Sequence, residues 1–284
     1  TYQDFELIVV DDASTDGTED VVRSFNDKRI RYLKHGKNKG GAAARNTGII
    51  ATRGEYIAFQ DSDDEWVPEK LEKQMKAMET ASPVVGVVYT GFYRLQGDKK
   101  TYIPSSKVIK KEGDILSSLI KKNFVTTQAM VVKRECLEKA GPFDQNLPRF
   151  QDWELCIRIS KHYHFKLIDE PLVILYHQSV SISTNQKALI EARKLILHKH
   201  FDIIKKDRKT LANHYLEIAH LLFSAGTISD GRSYYVRAFQ TYPLNLKAVC
   251  AVLISLLGEK FCQIMVSIYK GMKKRIYKLG VDGL

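Results

Sequence analysis

Cysteine is scarce. Cys136, Cys156, Cys250 and Cys262 are the 4 in a chain of 284 residues, and no two are spaced as C-x-x-C, so neither a zinc framework nor a disulfide scaffold is indicated and a reducing compartment fits. Long apolar runs are missing as well. The longest, Ala248 to Leu257 broken only by Ser255, is about ten residues, against the ~20 that a membrane-spanning helix needs. No signal peptide is visible, and the text opens at Thr1 without an initiator Met, which reads as an N-terminal truncation. Acids are thin at one end. From Ile190 to Leu284, 16 Lys plus Arg face 7 Asp plus Glu, a balance of +9 that leaves only +2 of the total +11 for the residues before it. The basic character therefore belongs to the tail, and a basic tail suggests an anionic surface, phospholipid or nucleic acid. Gly36 to Gly41 lacks the G-x-x-x-x-G-K-[ST] order, so it is not a P-loop.

What is there points to a globular chain of two domains, with 44% hydrophobic and 27% charged residues. Strand-like alternation from Tyr56 to Gln60 runs straight into Asp61, Ser62, Asp63, Asp64 and Glu65. Clustered carboxylates repel one another unless a cation compensates, and hard oxygens suit Mg²⁺ or Mn²⁺ with substrate phosphates filling the open positions. The competing reading is a solvated acidic turn, with Asp63 or Asp64 capping a helix that begins at Pro68.

The preceding text reads as β-α-β-α-β. Phe5 to Val10 is an apolar run expected of a parallel strand covered on both faces, a helix with Val21, Val22 and Phe25 on one side follows, and Ile30 to Leu33 is a second strand. The Ala-rich run Ala42 to Arg45 and a helix through Ile49 to Ala51 lead to the strand before the acids, so the fold class is α/β with a parallel, doubly wound, Rossmann-like character. Later strands are expected at Val84 to Tyr89, Thr127 to Lys133, His164 to Ile168 and Leu172 to Tyr176, and from Pro148 the segment Arg149 to Ile159 is expected to enter a helix with Leu155 and Ile159 inward. Beyond about Ser183 only helices are expected. Ala188 to Lys205 reads as one long helix, and Tyr215, Ile218, Ala219, Leu222, Gly231, Tyr235, Ala238 and Pro243 match the relative positions of one tetratricopeptide unit. The end segment, with Lys270, Lys273, Lys274, Arg275 and Lys278 among Ile268, Tyr269 and Met272, is amphipathic and basic enough to lie on anionic head groups, or to dock as an ordinary end helix.

Four motifs stand in one order: Asp11-Asp12-x-Ser14-x-Asp16; Gly40-Gly41-x-Ala43-Ala44-Arg45-Asn46-x-Gly48; Gly54-Glu55-Tyr56-Ile57 with Asp61-x-Asp63; and Gln151-Asp152-Trp153-x-Leu155. Together they resemble family 2 glycosyltransferases over roughly residues 1 to 183. The resemblance implies a GT-A fold, a mixed sheet with flanking helices over 1–187, followed by the all-α region 188–284. It implies inverting transfer from a nucleotide-sugar, a UDP-sugar foremost, to a glycan or lipid-linked acceptor in cell-surface polysaccharide or glycoconjugate synthesis. It assigns donor binding to Asp11, Asp12, Arg45, Asp61 and Ser62, with Asp12 on the base. Metal ligation falls to Asp63 and Asp61, and catalysis to Asp152 as general base, kept ionised by the first turn of its helix. Trp153 would offer a face to a sugar ring, Asp64 would join the acids or cap the helix, and His177 would touch diphosphate or metal. Gln151 replaces the family's usual Glu, and the first strand of the family's sheet has no counterpart here.

The expected place is the cytoplasm, peripheral on the inner membrane face, without nucleic acid as partner, since the basic tail lacks stacking aromatics or a known module. The non-enzyme alternative is a catalytically silent relative serving as a membrane-associated scaffold.

Overall fold

In a computed structural model, which describes residues 1–176 and 185–256, the chain divides into two units, Thr1–Ser181 and Ile182–Leu284. Unit 1 opens with β1 (Leu7–Asp11), which pairs in parallel with β2 (Ile30–Lys34), Leu7 opposite Ile30 and Asp11 opposite Lys34. β1 is not covered on both faces as its composition predicts: Leu7 is exposed and the next three residues are half-buried. The reason is its neighbourhood. Among the described residues β1 pairs only with β2, and α1 (Thr18–Ser24) buries none of its side chains, leaving Val21 and Phe25 in solvent.

The parallel, doubly wound expectation is corrected at the third strand. β3 (Tyr56–Ala58) leaves the β1-β2 pair and heads a second sheet whose order is β3-β7-β5-β8-β4. These strands are β4 (Glu65–Trp66), β5 (Val85–Gln96), β7 (Met130–Lys133) and β8 (His164–Tyr176), with β6 (Lys99–Ile103) paired to β5. Only β5-β8 is parallel, so the sheet is mixed. Arg134 holds β3 there: its backbone N–H donates to Glu55 O at 2.8 Å and its guanidinium to the carbonyls of Thr52 and Gly54, at 2.9 and 2.8 Å from Nη2. The two expected closing strands are one 13-residue strand, β8, because bulges near Gly91 let the ladder pass 169–170 without breaking.

Helices close the sheet. α2 (Gly41–Ala51) lies on β1, and α3 (Lys70–Glu79) puts Met78 on Val85, Val88 and Val131. On the other strands Phe92, Ala129 and Val173 pack with Trp66 and Leu175. α4 (Leu116–Leu119), α5 (Arg134–Ala140) and α6 (Gln151–Ile159) complete the unit, and α6 is inserted so deeply that Leu155, Cys156, Ile157 and Ile159 are fully buried.

Unit 2 is helical: α7 (Gln186–Lys199), α8 (Phe201–Ile204), α9 (Arg208–Ser224), α10 (Ile228–Thr241) and α11 (Leu246–Leu256). The single helix expected over Ala188 to Lys205 is therefore two, divided at His200. Asp207 caps α9 by accepting from Lys209 N and Thr210 N at 3.1 and 3.2 Å. α9 and α10 form a hairpin around Ala219, Phe223, Tyr235 and Ala238, turning at Gly226, whose φ of +83° favours glycine. Among the described residues no helix is long and apolar enough to cross a membrane. The basic run at 270–278, Cys262 and His177 lie outside the described residues. Cys136 and Cys156 are buried free thiols and Cys250 an exposed one.

Candidate active site

The site gathers at the carboxyl ends of β1 and β3 and the first turn of α6. Asp11 ends β1 buried, accepting from Ser14 N at 2.7 Å and from the Tyr32 hydroxyl. The Tyr32 bond, then the Ser14 bonds, hold its carboxyl down at about 2. Asp12 turns its oxygens onto the loop before α2: it accepts from Lys39 N at 2.9 Å and Gly40 N at 2.6 Å, and pairs with His35 Nδ1 at 2.7 Å. Burial opposes ionisation of Asp12, but the His35 and backbone bonds outweigh it and lower its pKa. Gly40, at φ +88°, makes that close approach, and His35 is held in turn by Thr47 Oγ1 at 2.9 Å from Nε2.

One turn into α2, Arg45 meets the acids. Its Nη2 donates to both oxygens of Asp61 at 2.7 and 2.8 Å, and its Nη1 reaches Gln151 Oε1 at 3.4 Å. The guanidinium thus ties the turn after β3 to the residue preceding Asp152. Asn46, beside it, clasps the chain before α6 by exchanging two 2.9 Å bonds with the backbone of Phe143. The neutral amide of Gln128, in a 3-10 turn at Thr127–Ala129, completes the acidic turn. Its Nε2 donates to Asp61 Oδ2 at 2.5 Å and Asp64 Oδ2 at 2.9 Å, while its Oε1 accepts from the Thr126 and Thr127 hydroxyls.

Asp64 does not cap α3. The short strand β4 intervenes, the cap position is Glu69, and Asp64 accepts instead from Tyr176 N at 3.1 Å. Burial, then the neighbouring Asp63 and Asp61, push its carboxyl up to about 6 against the Tyr176 and Gln128 bonds. Asp63 and Ser62 are exposed.

Asp152 sits in the first turn of α6, behind Phe150, which holds a left-handed φ of +64°. Such a backbone costs a non-glycine residue ~1 kcal/mol. Asp152 accepts from Asn123 Nδ2 at 3.1 Å and from Trp153 N at 2.7 Å. The helix turn was expected to keep it ionised, yet its pKa is raised. Burial outweighs the two bonds and the Arg45 charge, and Asp61 adds to it. Trp153 is corrected more sharply: its ring is fully buried, its Nε1 donates to Leu119 O at 2.6 Å and its edge meets Phe150, so no face remains for a sugar. Asn123 and Gln128 had no signal of their own, being neutral amides outside every motif, whereas Asn46 stood in the motif after the glycines without a role assigned to it. Arg94 of β5 also feels the Asp152 charge.

Residues 1–141 match the family described as glycosyl transferase family 2. Unit 1 carries a family 2 glycosyltransferase domain. The chain is 30% identical over 208 residues to the amylovoran biosynthesis glycosyltransferase AmsB of Erwinia amylovora, covering 66% of this chain and 64% of that protein. It is 43% identical over 93 residues to the UDP-Glc:alpha-D-GlcNAc-diphosphoundecaprenol beta-1,3-glucosyltransferase WfaP of Escherichia coli, covering 33% of this chain and 36% of the other. The chain thus spans less than two thirds of either relative. The mannosyltransferase PcManGT of Pyrobaculum calidifontis, solved with GDP-Man and Mn²⁺, has the same fold at a TM-score of 0.51 and 21% identity, covering 92% of this chain and 74% of that one.

The glycosyltransferase domain bears on a divalent cation through its donor set. Among the described residues no group of three or more His, Cys, Asp or Glu converges as a ready-made metal cage. Asp61 is engaged by Arg45 and Gln128, and Asp64 by Gln128 and Tyr176. Asp63 stands exposed between them with hard oxygen donors. One or two carboxylates plus substrate phosphates is how Mg²⁺ is usually held, so the acids fit a cation that arrives with a diphosphate.

Proposed function

We propose that this domain transfers a sugar from a nucleotide-sugar to a glycan or lipid-linked hydroxyl, inverting the anomeric centre, in the synthesis of surface polysaccharide or glycoconjugate. One observation carries the reading. Arg45 joins Asp61 to Gln151, with Asp152 as the next residue of α6. That link supports a reading in which a carboxylate base faces an acidic, diphosphate-attracting turn, as in-line displacement at a sugar carbon requires.

In this reading Asp152 accepts the proton of the attacking acceptor hydroxyl. A base pushed upward by burial is the stronger for it, and Asn123 fixes the direction of its lone pairs. Asp63, with Asp61 or Asp64 beside it, would hold Mg²⁺ or Mn²⁺, which supplies charge neutralisation for the departing diphosphate. Asp12 acts on the donor side chiefly by shaping the loop 35–40 around it and Asp11 by holding the turn to Ser14, while Ser62 belongs to the acidic turn. A UDP-sugar donor is the first choice because WfaP, by its name, uses UDP-Glc. The repeat-like hairpin and the membrane contact of the end segment belong to the same proposal.

The test is donor binding. Thermal unfolding with a panel of UDP- and GDP-sugars and Mn²⁺ should show one that stabilises the protein, by ~2.7 kcal/mol at 100 times its dissociation constant. Chelation, or Asp63→Ala, should abolish the shift. A panel without any metal-dependent shift would point to the silent-scaffold alternative.

A further inference from the structure

Unit 2 holds a cavity of about 330 Å³ between α7, α8, α9 and α10, whose lining includes Lys194, His198, Phe201, Tyr215, Tyr234 and Arg237. That volume is at the lower end of small-ligand sites, ~300–1,000 Å³. Its chemistry is one-sided. Lys194 and His198 are one turn apart on α7, and so share a face. Tyr234 and Arg237 do the same on α10. Lys194 Nζ lies 5.8 Å and the Arg237 guanidinium 5.2 Å from the centroid of the same Tyr234 ring, and Tyr215 closes on that ring at 6.0 Å. Two cations are therefore brought to one aromatic wall from two helices.

Among the described residues no acid answers them, and no described residue of the lining is a carboxylate. Among the described residues Glu217, the acid of α9, pairs with Arg193, and Asp202 of α8 pairs with Lys205 at 2.5 Å. Glu191 and Asp230, on α7 and α10, lie outside the lining. Like charges held over one ring without a counter-ion repel, and a bound anion removes that cost. Arginine presents a planar fork and lysine a point charge, the pair that recognises phosphate oxygens. The tyrosine hydroxyls and His198 add further hydrogen-bonding groups to the lining.

We propose that this cavity is a binding site for a phosphate-bearing ligand, in a unit separate from the one that carries the proposed transfer chemistry. A dianion matches two fixed cations better than a single carboxylate does, and the aromatic walls accept whatever ring or chain the phosphate is attached to. The ligand's source is a soluble diphosphate or the headgroup of an anionic lipid, and the two are separable.

The experiment uses the full chain in EDTA, so that a metal-dependent donor site contributes nothing. Inorganic pyrophosphate is titrated calorimetrically, and vesicles of phosphatidylglycerol or phosphatidylcholine are sedimented with the protein. The comparison is between wild type, the double variant Lys194→Gln/Arg237→Gln, and Lys187→Gln, an exposed cation on the same helix outside the lining. Pyrophosphate affinity at least tenfold weaker in the double variant, and unchanged in Lys187→Gln and in Asp63→Ala, supports a soluble ligand. Vesicle binding that needs phosphatidylglycerol and the Lys194/Arg237 pair, without pyrophosphate binding, supports the lipid headgroup. Binding of both probes that is absent, or equal in the double variant and wild type, overturns the site. Both side chains are partly or fully solvent-facing, and an unchanged melting curve confirms that the variant is folded.

Discussion

Arg45 is the residue that ties the acidic turn after β3 to the start of α6. Its bidentate bond to Asp61 requires the planar fork that lysine lacks. Arg45→Lys should therefore keep the charge and still lower kcat/KM for transfer by ~10-fold, equivalent to ~1.4 kcal/mol, as steady-state kinetics would show. Lys70 gives a second prediction of a different kind. It is fully buried on α3, its ammonium 3.7 Å from the centre of the Trp66 ring and 2.7 Å from Gln74 Oε1. Burial lowers its pKa to about 7. Between that value and the ordinary lysine value the unfolded chain binds the extra proton, so stability rises with pH there. The free energy of unfolding, measured by urea at pH 7 to 10, should climb in wild type and lose that part of its slope in Lys70→Met. At this scale the sequence was legible where chemistry is concentrated. Four acids in five residues and an Arg-Asn pair after glycines announce themselves. Gln128 and Asn123 do not, because a neutral amide has no pattern until folding brings it to a carboxylate. Trp153 was misread for a geometric reason: consecutive helical residues point ~100° apart, so Trp153 turns into the core while Asp152 meets Asn123.

At the scale of elements, α6 is held in place by a buried ion pair that also fastens α5. Arg158 Nη2 meets Glu154 at 2.8 Å and also donates to the Pro142 carbonyl, while Nη1 donates to the carbonyls of Ala140 and Gly141, at the end of α5 and just past it. Glu154 is 1% exposed. Arg158→Ala should destabilise unit 1 by ~3–5 kcal/mol because it strands a buried carboxylate, read as an earlier urea midpoint with the slope retained. Elements with strong apolar periodicity, such as α3, α6 and β7, were legible within a few residues, whereas β5, expected to end at Tyr89, continues to Gln96. Their pairing was not. Nothing local in Tyr56–Ala58 says that it will lie antiparallel to β7, since that choice is made by Arg134 some 80 residues on. The split at His200 had no breaker residue to mark it, and the union of the two closing strands depends on extra residues of β8 bulging opposite Gly91 of β5.

The whole molecule combines a glycosyltransferase domain with a helical unit of opposite chemical character, acidic at the working turn in one and basic around a cavity in the other. The sequence changes in texture near Ser183, from mixed strands and helices to helices alone, and its charge count concentrates the basic character in residues 190–284. The account as a whole stands on Asp152 acting as base across from the acidic turn. The most direct measurement is transfer of isotope-labelled sugar from a donor that shifts the melting curve, by wild type and by Asp152→Asn, across the acid limb of the pH profile. The account predicts that Asp152→Asn binds donor as wild type does, loses ~10²–10⁴ in turnover, and has no acid limb. Turnover in Asp152→Asn equal to wild type, with the same pH dependence, would contradict it.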